Sequence, residues 1–98
     1  MGRLTDNEID YNLTTLKGWA LDENESRIIK GFIFKDFKEA IAAMVKIGEV
    51  AEELNHHPDW TNVYNTLTIS LSTHDANGVT EKDFKLAEAI EGIVEVEE

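Results

Sequence analysis

Three histidines, His56, His57 and His74, are the residues of this chain best suited to chemistry at neutral pH. Imidazole gains and loses a proton in that range, so each of them can act as a general acid or as a general base. His56 and His57 are adjacent and precede Pro58, whereas His74 precedes Asp75 and a predicted turn. A cluster at the ends of predicted elements indicates a site of proton transfer, because the scaffold fixes the side chains while solvent still reaches them.

Three interpretations of these histidines remain open on the residues alone. They could be surface or helix-capping side chains, since the carboxyl end of a helix favours a positive charge. They could bind a metal ion, although adjacent histidines diverge and no HxH or HxxxH spacing occurs. They could perform metal-free acid/base catalysis, with carboxylates such as Glu52, Asp59, Asp75 or Asp83 orienting the imidazoles. The clustering favours catalysis over metal binding.

The composition argues against several other classes of function. The chain has no cysteine, so disulfide bonds and cysteine-ligated zinc are excluded. Its formal net charge of −11 argues against direct nucleic-acid binding, which needs a basic face to displace counterions. The glycines are isolated, which excludes a phosphate-binding loop. Ser70 and Ser72 follow a strand pattern rather than a nucleophile elbow, so a serine hydrolase is not expected.

Length and hydropathy predict one domain over residues 1–98. No apolar run approaches the length of a membrane span, and no apolar stretch follows Arg3 as it would in a secretory signal. We therefore expect a cytoplasmic protein that does not bind membranes.

The elements that must position the histidines can be predicted from periodicity. Residues 5–8 have the pattern of a capping box, which predicts a short first helix that ends before Gly18. Residues 19–21 and 28–34 are typical of two strands of a hairpin. From Phe37 onward, with Asp36 as the cap, apolar residues recur on one face of a long helix; they are Ala40, Ile41, Met44, Ile47, Gly48, Ala51 and Leu54.

Two valines of this long helix, Val45 and Val50, lie off its apolar stripe. They indicate either a second apolar contact, such as a subunit interface, or isolated exposed residues. The helix itself should end near the histidine pair, because Pro58 disfavours helical backbone at His57.

The second half of the chain predicts more strand and a final helix. Residues 63–74 alternate between apolar and polar, which predicts a strand with Leu67, Ile69 and Leu71 facing the core. A further short strand fits between Pro58 and Val63. Residues 75–78 have turn chemistry, and residues 80–83 form a second capping box for a helix whose core positions are Phe84, Ala87, Ile90 and Val94. The acidic tail, residues 95–98, is expected to fray.

The segments around the histidines resemble the signature of the pterin-4a-carbinolamine dehydratases. They read NHHPDW at residues 55–60, NVYN at 62–65, STHD at 72–75 and GVT at 78–80. FIFKDF at residues 32–37 and DFKLA at 83–87 also look like that family. The resemblance covers residues 19–90, most of the chain, and a chance match across all these segments is improbable.

The resemblance implies a fold, a reaction and a set of site residues. The fold would be α+β, a four-stranded antiparallel sheet with helices on one face, in the order helix-strand-strand-helix-strand-strand-helix. The reaction would remove water from 4a-hydroxytetrahydropterin to give quinonoid dihydropterin in tetrahydrobiopterin recycling, with no metal and no organic cofactor. His56 and His74 look like the acid/base pair, in an order left open, and His57 like an assisting residue. The binding or supporting positions would be Glu52, Pro58, Trp60 and Asp83.

The resemblance also bears on partners. It implies a pterin substrate and assembly into a homodimer or homotetramer. Some animal members of the family also act as dimerisation cofactors of a homeodomain transcription factor, so a protein-binding coactivator is the alternative function. A metal-dependent hydrolase is a more distant third.

Overall fold

Residues 2–97, the part of the chain that the computed structural model describes, form three α-helices and one antiparallel sheet. The helices are α1 (Asp6–Leu13), α2 (Phe37–Leu54) and α3 (Glu81–Glu97), and the strands are β1 (Ala20–Asp22), β2 (Arg27–Ile33), β3 (Asp59–Val63) and β4 (Thr66–Leu71). The four strands lie in the order β1-β2-β4-β3. This confirms the predicted α+β class and the predicted order of elements.

Helix α1 begins at the predicted capping box. The Thr5 hydroxyl accepts a hydrogen bond from the Glu8 amide, and the Glu8 carboxylate accepts one from the Thr5 amide. The helix is short and ends at Leu13, before Gly18, as predicted. It ends because the amide of Thr14 bonds three residues back, to the Tyr11 carbonyl, and the α-helical pattern does not continue.

The prediction of one alternating strand over residues 63–74 is wrong, because the chain reverses direction within it. Tyr64 has a φ of 51°, a left-handed conformation, and the turn it makes with Asn65 separates β3 from β4. The side-chain amide of Asn62 stabilises the turn by donating to the carbonyls of Tyr64 and Thr66. The additional short strand expected before Val63 is confirmed as β3.

One face of the sheet carries the core and the other has no helix over it among residues 2–97. Leu67, Ile69 and Leu71 of β4 are buried against the helices, as predicted. On the opposite face, Ile33 and Val63 are exposed. The helices therefore lie on one side, which leaves the other face of the sheet accessible.

Helix α2 packs on the core through most of the predicted stripe, since Ala40, Ile47 and Ala51 are buried and Met44 packs against them. Asp36 caps it as predicted, accepting a hydrogen bond from the Glu39 amide. Its buried residues are Ala40, Ala43, Ile47 and Ala51. Ile41 and Leu54, which were predicted to face the core, are 38% and 36% exposed. Ala43 is fully buried although it was not predicted to be, so the buried face of the helix is turned from Ile41 and Leu54 toward Ala43.

The two off-stripe valines have different environments. Val50 packs against the core, which contradicts its reading as a surface contact, whereas Val45 is 58% exposed. Of these two valines, only Val45 is exposed enough to contact another chain.

Helix α3 starts at Thr80 and Asp83, as predicted. The Asp83 carboxylate accepts a hydrogen bond from the Thr80 amide, but the Thr80 hydroxyl accepts from the Lys82 amide rather than from that of Asp83. The predicted core positions Phe84, Ala87, Ile90 and Val94 are buried. The side chains after Val94 and all of Glu98 lie outside the described residues. The backbone of residues 95–97, which was predicted to fray, continues helix α3. No helix in the described range is long and apolar enough to cross a membrane.

Candidate active site

His56 is positioned by the way α2 ends. Asn55 adopts the left-handed conformation (φ 53°, ψ 43°), and the amide of His56 donates to the carbonyl of Ala51 while that of Asn55 donates to Glu52. This is a Schellman motif, which reverses the chain within one turn. The helix therefore ends where it was predicted to, but the left-handed Asn55 ends it rather than Pro58. The reversal turns the His56 side chain into the protein, where it is only 9% exposed.

The buried partner of His56 is Asp83, from the first turn of α3. His56 Nε2 lies 2.5 Å from Asp83 Oδ1, and Asp83 is fully buried. The other carboxylate oxygen, Oδ2, accepts from the Thr73 hydroxyl and from the Thr80 amide, both at 2.9 Å. Since the Thr73 proton is used on Asp83, Thr80 Oγ1 is the donor in its 2.7 Å contact with Thr73 Oγ1. Both oxygens of Asp83 and both threonine hydroxyls in this network therefore have hydrogen-bond partners.

The same network assigns the two nitrogens of His56. A carboxylate only accepts hydrogen bonds, so Nε2 of His56 carries a proton, and in the neutral ring the other nitrogen, Nδ1, is an acceptor. Every buried side-chain nitrogen or oxygen in the described residues has a hydrogen-bond partner. Nδ1 has none, so it must be open to solvent rather than enclosed. When its ring is neutral, His56 therefore presents an unprotonated nitrogen to the solvent-accessible side.

His57 occupies a different environment. Its Nε2 lies 2.5 Å from Oε2 of Glu52, and the two side chains are 59% and 76% exposed. Solvent screens an exposed pair of this kind, so it fixes the orientation of the ring more than it stabilises the fold. The adjacent histidines thus diverge, with His56 buried on Asp83 and His57 exposed on Glu52.

His74 lies in a short loop after β4 rather than within the strand, where it was predicted. The loop is closed by a bridge between Thr73 and Gly78, and residues His74–Ala76 form one turn of 3-10 helix. His74 is exposed, and its imidazole makes no hydrogen bond within residues 2–97. It can therefore exchange protons with solvent.

Two adjoining clefts bring the three histidines together. The first, which we call the histidine cleft, has a volume of about 280 Å³ and is lined by Asn55, His56, His57, Ser72, Thr73, His74, Asp75 and Lys82. The second, the sheet-face cleft, has a volume of about 560 Å³ and is lined by Glu25, Arg27, His57, Pro58, Asp59, Ser70, Ser72 and His74. His57, Ser72 and His74 line both, so the two clefts meet at these residues.

The supporting residues expected from the sequence fall into two groups. Asp83 and Glu52 each hold a histidine, and Pro58 lines the sheet-face cleft. Trp60 lines neither cleft: it belongs to β3 and packs, partly buried, against the core. Asp59 and Asp75, the other carboxylates considered as orienting groups, line the clefts without bonding to a histidine in the described structure.

Several residues of the site were not predicted from the sequence. Thr73 fixes Asp83, while Arg27, Glu25 and Ser70 line the far part of the sheet-face cleft. The contact of Thr80 with Asp83 did have a signal, the capping box. Arg27 had none, because it lies 30 residues before His57 and reaches the cleft only through strand pairing.

The arrangement suits proton transfer. One imidazole is oriented by a buried carboxylate, another is free and exposed, and both line one cleft. Among residues 2–97, no group of three or more histidine, aspartate and glutamate side chains is placed to hold a metal ion.

Similar proteins show the family to which the chain belongs. The family described as pterin 4 alpha carbinolamine dehydratase matches residues 2–93. A protein of Christiangramia forsetii is 53% identical over 95 residues, covering 97% of this chain and 96% of its own length. One of Rhizobium johnstonii is 50% identical over 91 residues, covering 93% and 90%. Both are named pterin-4-alpha-carbinolamine dehydratase on a provisional basis.

A solved structure extends the likeness to the fold. The crystal structure of a protein from Brucella melitensis, described as a transcriptional coactivator/pterin dehydratase, superposes with a TM-score of 0.91 at 41% identity. The match covers 94% of this chain and 98% of the other. With a family match over residues 2–93 and relatives about half identical along nearly the whole chain, this protein belongs to the pterin-4-alpha-carbinolamine dehydratase family.

Proposed function

We propose that this protein dehydrates 4a-hydroxytetrahydropterins to quinonoid dihydropterins, with His56 as the general base and His74 as the general acid. The observation that carries the proposal is the bond between His56 Nε2 and the buried Asp83. It leaves His56 Nδ1 as an open acceptor at the cleft that His74 also lines. Membership of the family supports the same reaction.

The reaction is one elimination. His56 Nδ1 takes the proton from N5 of the substrate, and the N–H electron pair forms the double bond between N5 and C4a. The bond between C4a and the hydroxyl oxygen breaks, and protonated His74 gives its proton to that oxygen, which leaves as water. The products are quinonoid dihydropterin, water, protonated His56 and neutral His74, and proton exchange with solvent restores both histidines. No electrons are gained or lost, so an acid and a base are sufficient.

The two roles follow from the environments of the two rings. A positive charge that forms on His56 is stabilised by Asp83 at 2.5 Å in a water-poor environment. His74 is exposed, so it can be protonated again from solvent after each turnover. His57, held by Glu52 where the clefts meet, is placed to bind the polar edge of the pterin.

The setting we propose is the recycling of tetrahydrobiopterin. A pterin hydroxylase leaves its cofactor as the 4a-carbinolamine, and dehydration gives the form that a reductase can return to the tetrahydro state. A cytoplasmic location is in keeping with a chain that contains no cysteine.

The test is a coupled assay in which an aromatic amino acid hydroxylase supplies the carbinolamine and its decay is followed with and without this protein. We expect His56→Ala and His74→Ala each to lower kcat/KM by about a hundredfold, the usual scale of a positioned acid or base. His57→Ala should have a smaller effect, mainly on KM.

Two controls make this test decisive. Lys17→Met changes an exposed residue in the connection between α1 and β1 and should leave the rate unchanged. Circular dichroism establishes that the histidine variants are folded. The proposal fails if folded His56→Ala and His74→Ala both dehydrate the substrate as fast as the unmodified protein, or if the unmodified protein does not exceed the uncatalysed rate.

We further propose that the protein self-associates through α2. Phe37, Ile41 and Val45 are spaced by four residues and are 49%, 38% and 58% exposed, which gives a continuous apolar ridge on the outer side of the helix.

A charge on the ridge should weaken this association. We expect Val45→Glu to raise the dissociation constant of the assembly at least about tenfold, because a carboxylate would be buried against an apolar partner. Analytical ultracentrifugation over a range of concentrations measures it, with Asn24→Glu in the β1–β2 connection as the control. Equal sedimentation of Val45→Glu and the unmodified protein would contradict the proposal. A labile dimer would keep the coactivator alternative open, whereas a tetramer that does not exchange subunits would argue against it.

A further inference from the structure

The sheet-face cleft extends well beyond the histidines. It has a volume of about 560 Å³, within the range of sites for small organic ligands. His57, Ser72 and His74 form the part that it shares with the histidine cleft, and Arg27 and Ser70 lie in the part that only the sheet-face cleft has. When the reacting edge of a ligand faces the histidines, the group attached beside that edge can therefore lie in the sheet-face cleft.

The chemistry of the proposed substrate says which group this is. In a tetrahydropterin, C6 is the ring carbon bonded to N5, so a C6 substituent leaves the ring beside the atom that loses its proton. Because the histidines must face N5 and C4a, the substituent runs into space that adjoins them. The sheet-face cleft is the larger of the two spaces that do so.

Arg27 is held rigidly in this cleft by strand pairing and two hydrogen bonds. It is the first residue of β2 and pairs with Asp22 of β1. Its Nε donates to Asp22 Oδ2 at 3.3 Å, and its Nη1 donates to Ser70 Oγ at 3.2 Å. Ser70 in turn donates to the Asp59 carbonyl. A guanidinium has five N–H groups, and within residues 2–97 the remaining ones have no partner, so they can donate to a ligand.

The charges around Arg27 decide the kind of ligand. Asp22 already neutralises the guanidinium, while Glu25 and Asp59 add two further carboxylates to the wall. The cleft is therefore negative on balance, and it repels an anionic substituent. It offers guanidinium donors beside carboxylate and hydroxyl acceptors, which together match neutral hydroxyl groups.

We propose that Arg27, with Ser70 and Asp59, forms a subsite that binds an uncharged, hydroxyl-bearing substituent at C6 of the pterin. The subsite rests on the proposed dehydratase function and adds specificity to it: the histidines perform the elimination, and Arg27 selects the side chain. Arg27 takes no part in proton transfer.

The test compares two carbinolamines, one with a dihydroxypropyl group at C6 and one with a methyl group. Arg27→Met keeps the aliphatic stem and removes the guanidinium. We expect it to lower kcat/KM for the dihydroxypropyl substrate about tenfold or more, through KM, since a hydrogen bond to a charged donor is lost. The methyl substrate should change by less than about twofold, since in that case no such bond exists. Ser70→Ala should shift the same ratio in the same direction by a smaller factor.

A third substrate tests the charge argument. A carbinolamine with a carboxylate on its C6 substituent should be the poorest of the three. The double variant Glu25→Gln, Asp59→Asn should raise its kcat/KM by about fivefold or more by removing two like charges. Lys17→Met, which removes one positive charge at an exposed position that lines neither cleft, should alter none of the three.

The possible outcomes separate the subsite from the reaction. A selective loss on the dihydroxypropyl substrate supports the subsite. An equal loss on both neutral substrates, or no loss on either, overturns it while leaving the dehydratase function in place. If the unmodified protein dehydrates neither substrate above the uncatalysed rate, the proposed function fails, and the subsite fails with it.

Discussion

Replacing Asp83 by asparagine is expected to lower kcat for the dehydration by about a thousandfold without unfolding the protein. The amide oxygen of asparagine can take the place of Oδ2, which accepts from Thr73 and Thr80. The amide nitrogen then faces His56 and donates to Nε2, so the imidazole proton must move to Nδ1. The nitrogen that should remove the substrate proton would itself carry a proton, and His56 could not act as the base.

Steady-state kinetics and a thermal melt on the same preparation measure this effect. Asp10→Asn, the same chemical change on the exposed side of α1, is the matched control and should leave kcat unchanged. Thr73→Val leaves the bond between Asp83 and His56 in place and should cost only about tenfold. If folded Asp83→Asn kept the unmodified kcat, His56 could not be the base, because its tautomer would not matter.

Replacing Ile69 by alanine is expected to lower the free energy of unfolding by about 3 kcal/mol. Ile69 lies in β4, between β2 and β3, and is fully buried beneath the helices. Removing its side chain leaves a cavity that the two flanking strands cannot close. Urea denaturation at one fixed protein concentration measures the loss, since association also contributes to apparent stability.

The control for this prediction is the same substitution on the other face of the sheet. Ile33 of β2 is 79% exposed, so Ile33→Ala should change the free energy of unfolding by less than about 0.5 kcal/mol. Similar losses of stability for the two variants would contradict the assignment of Ile69 to the buried face of the sheet and Ile33 to the exposed face.

Those features of the fold that depend on local chemistry could be predicted from the sequence. The capping residues Thr5, Asp36 and Thr80 begin helices, and the alternation of apolar residues in β4 marks its buried face. The turn at Tyr64 could not be predicted, because it contains neither glycine nor proline and an asparagine side chain holds it from outside. The burial of Ala43 in α2 was also missed, since hydropathy alone does not show that this small residue, rather than Ile41, lies inside the buried face.

The candidate site could be predicted only in part, because the sequence shows which residue types are present but not which of them meet in space. His56, His57 and His74 are recognisable by type and spacing, and the structure brings them to adjoining clefts. Which carboxylate serves which histidine could not be read from the chain. Asp83 follows His56 by 27 residues, and the two meet only because α3 packs beside α2. Arg27 reaches the site because of the way β2 pairs with β4, and no local sequence pattern indicates which residues of two strands lie opposite each other.

Asp83 has two tasks, and their combination links folding to activity. Its Oδ2 holds the amide of Thr80 at the start of α3, and its Oδ1 holds the imidazole of His56. If the first turn of α3 opens, the amide loses its acceptor in the same event in which the imidazole loses its partner. Hydrogen exchange at the Thr80 amide requires that opening. The protection factor of this one amide should therefore report what fraction of the molecules, at any instant, is assembled for catalysis.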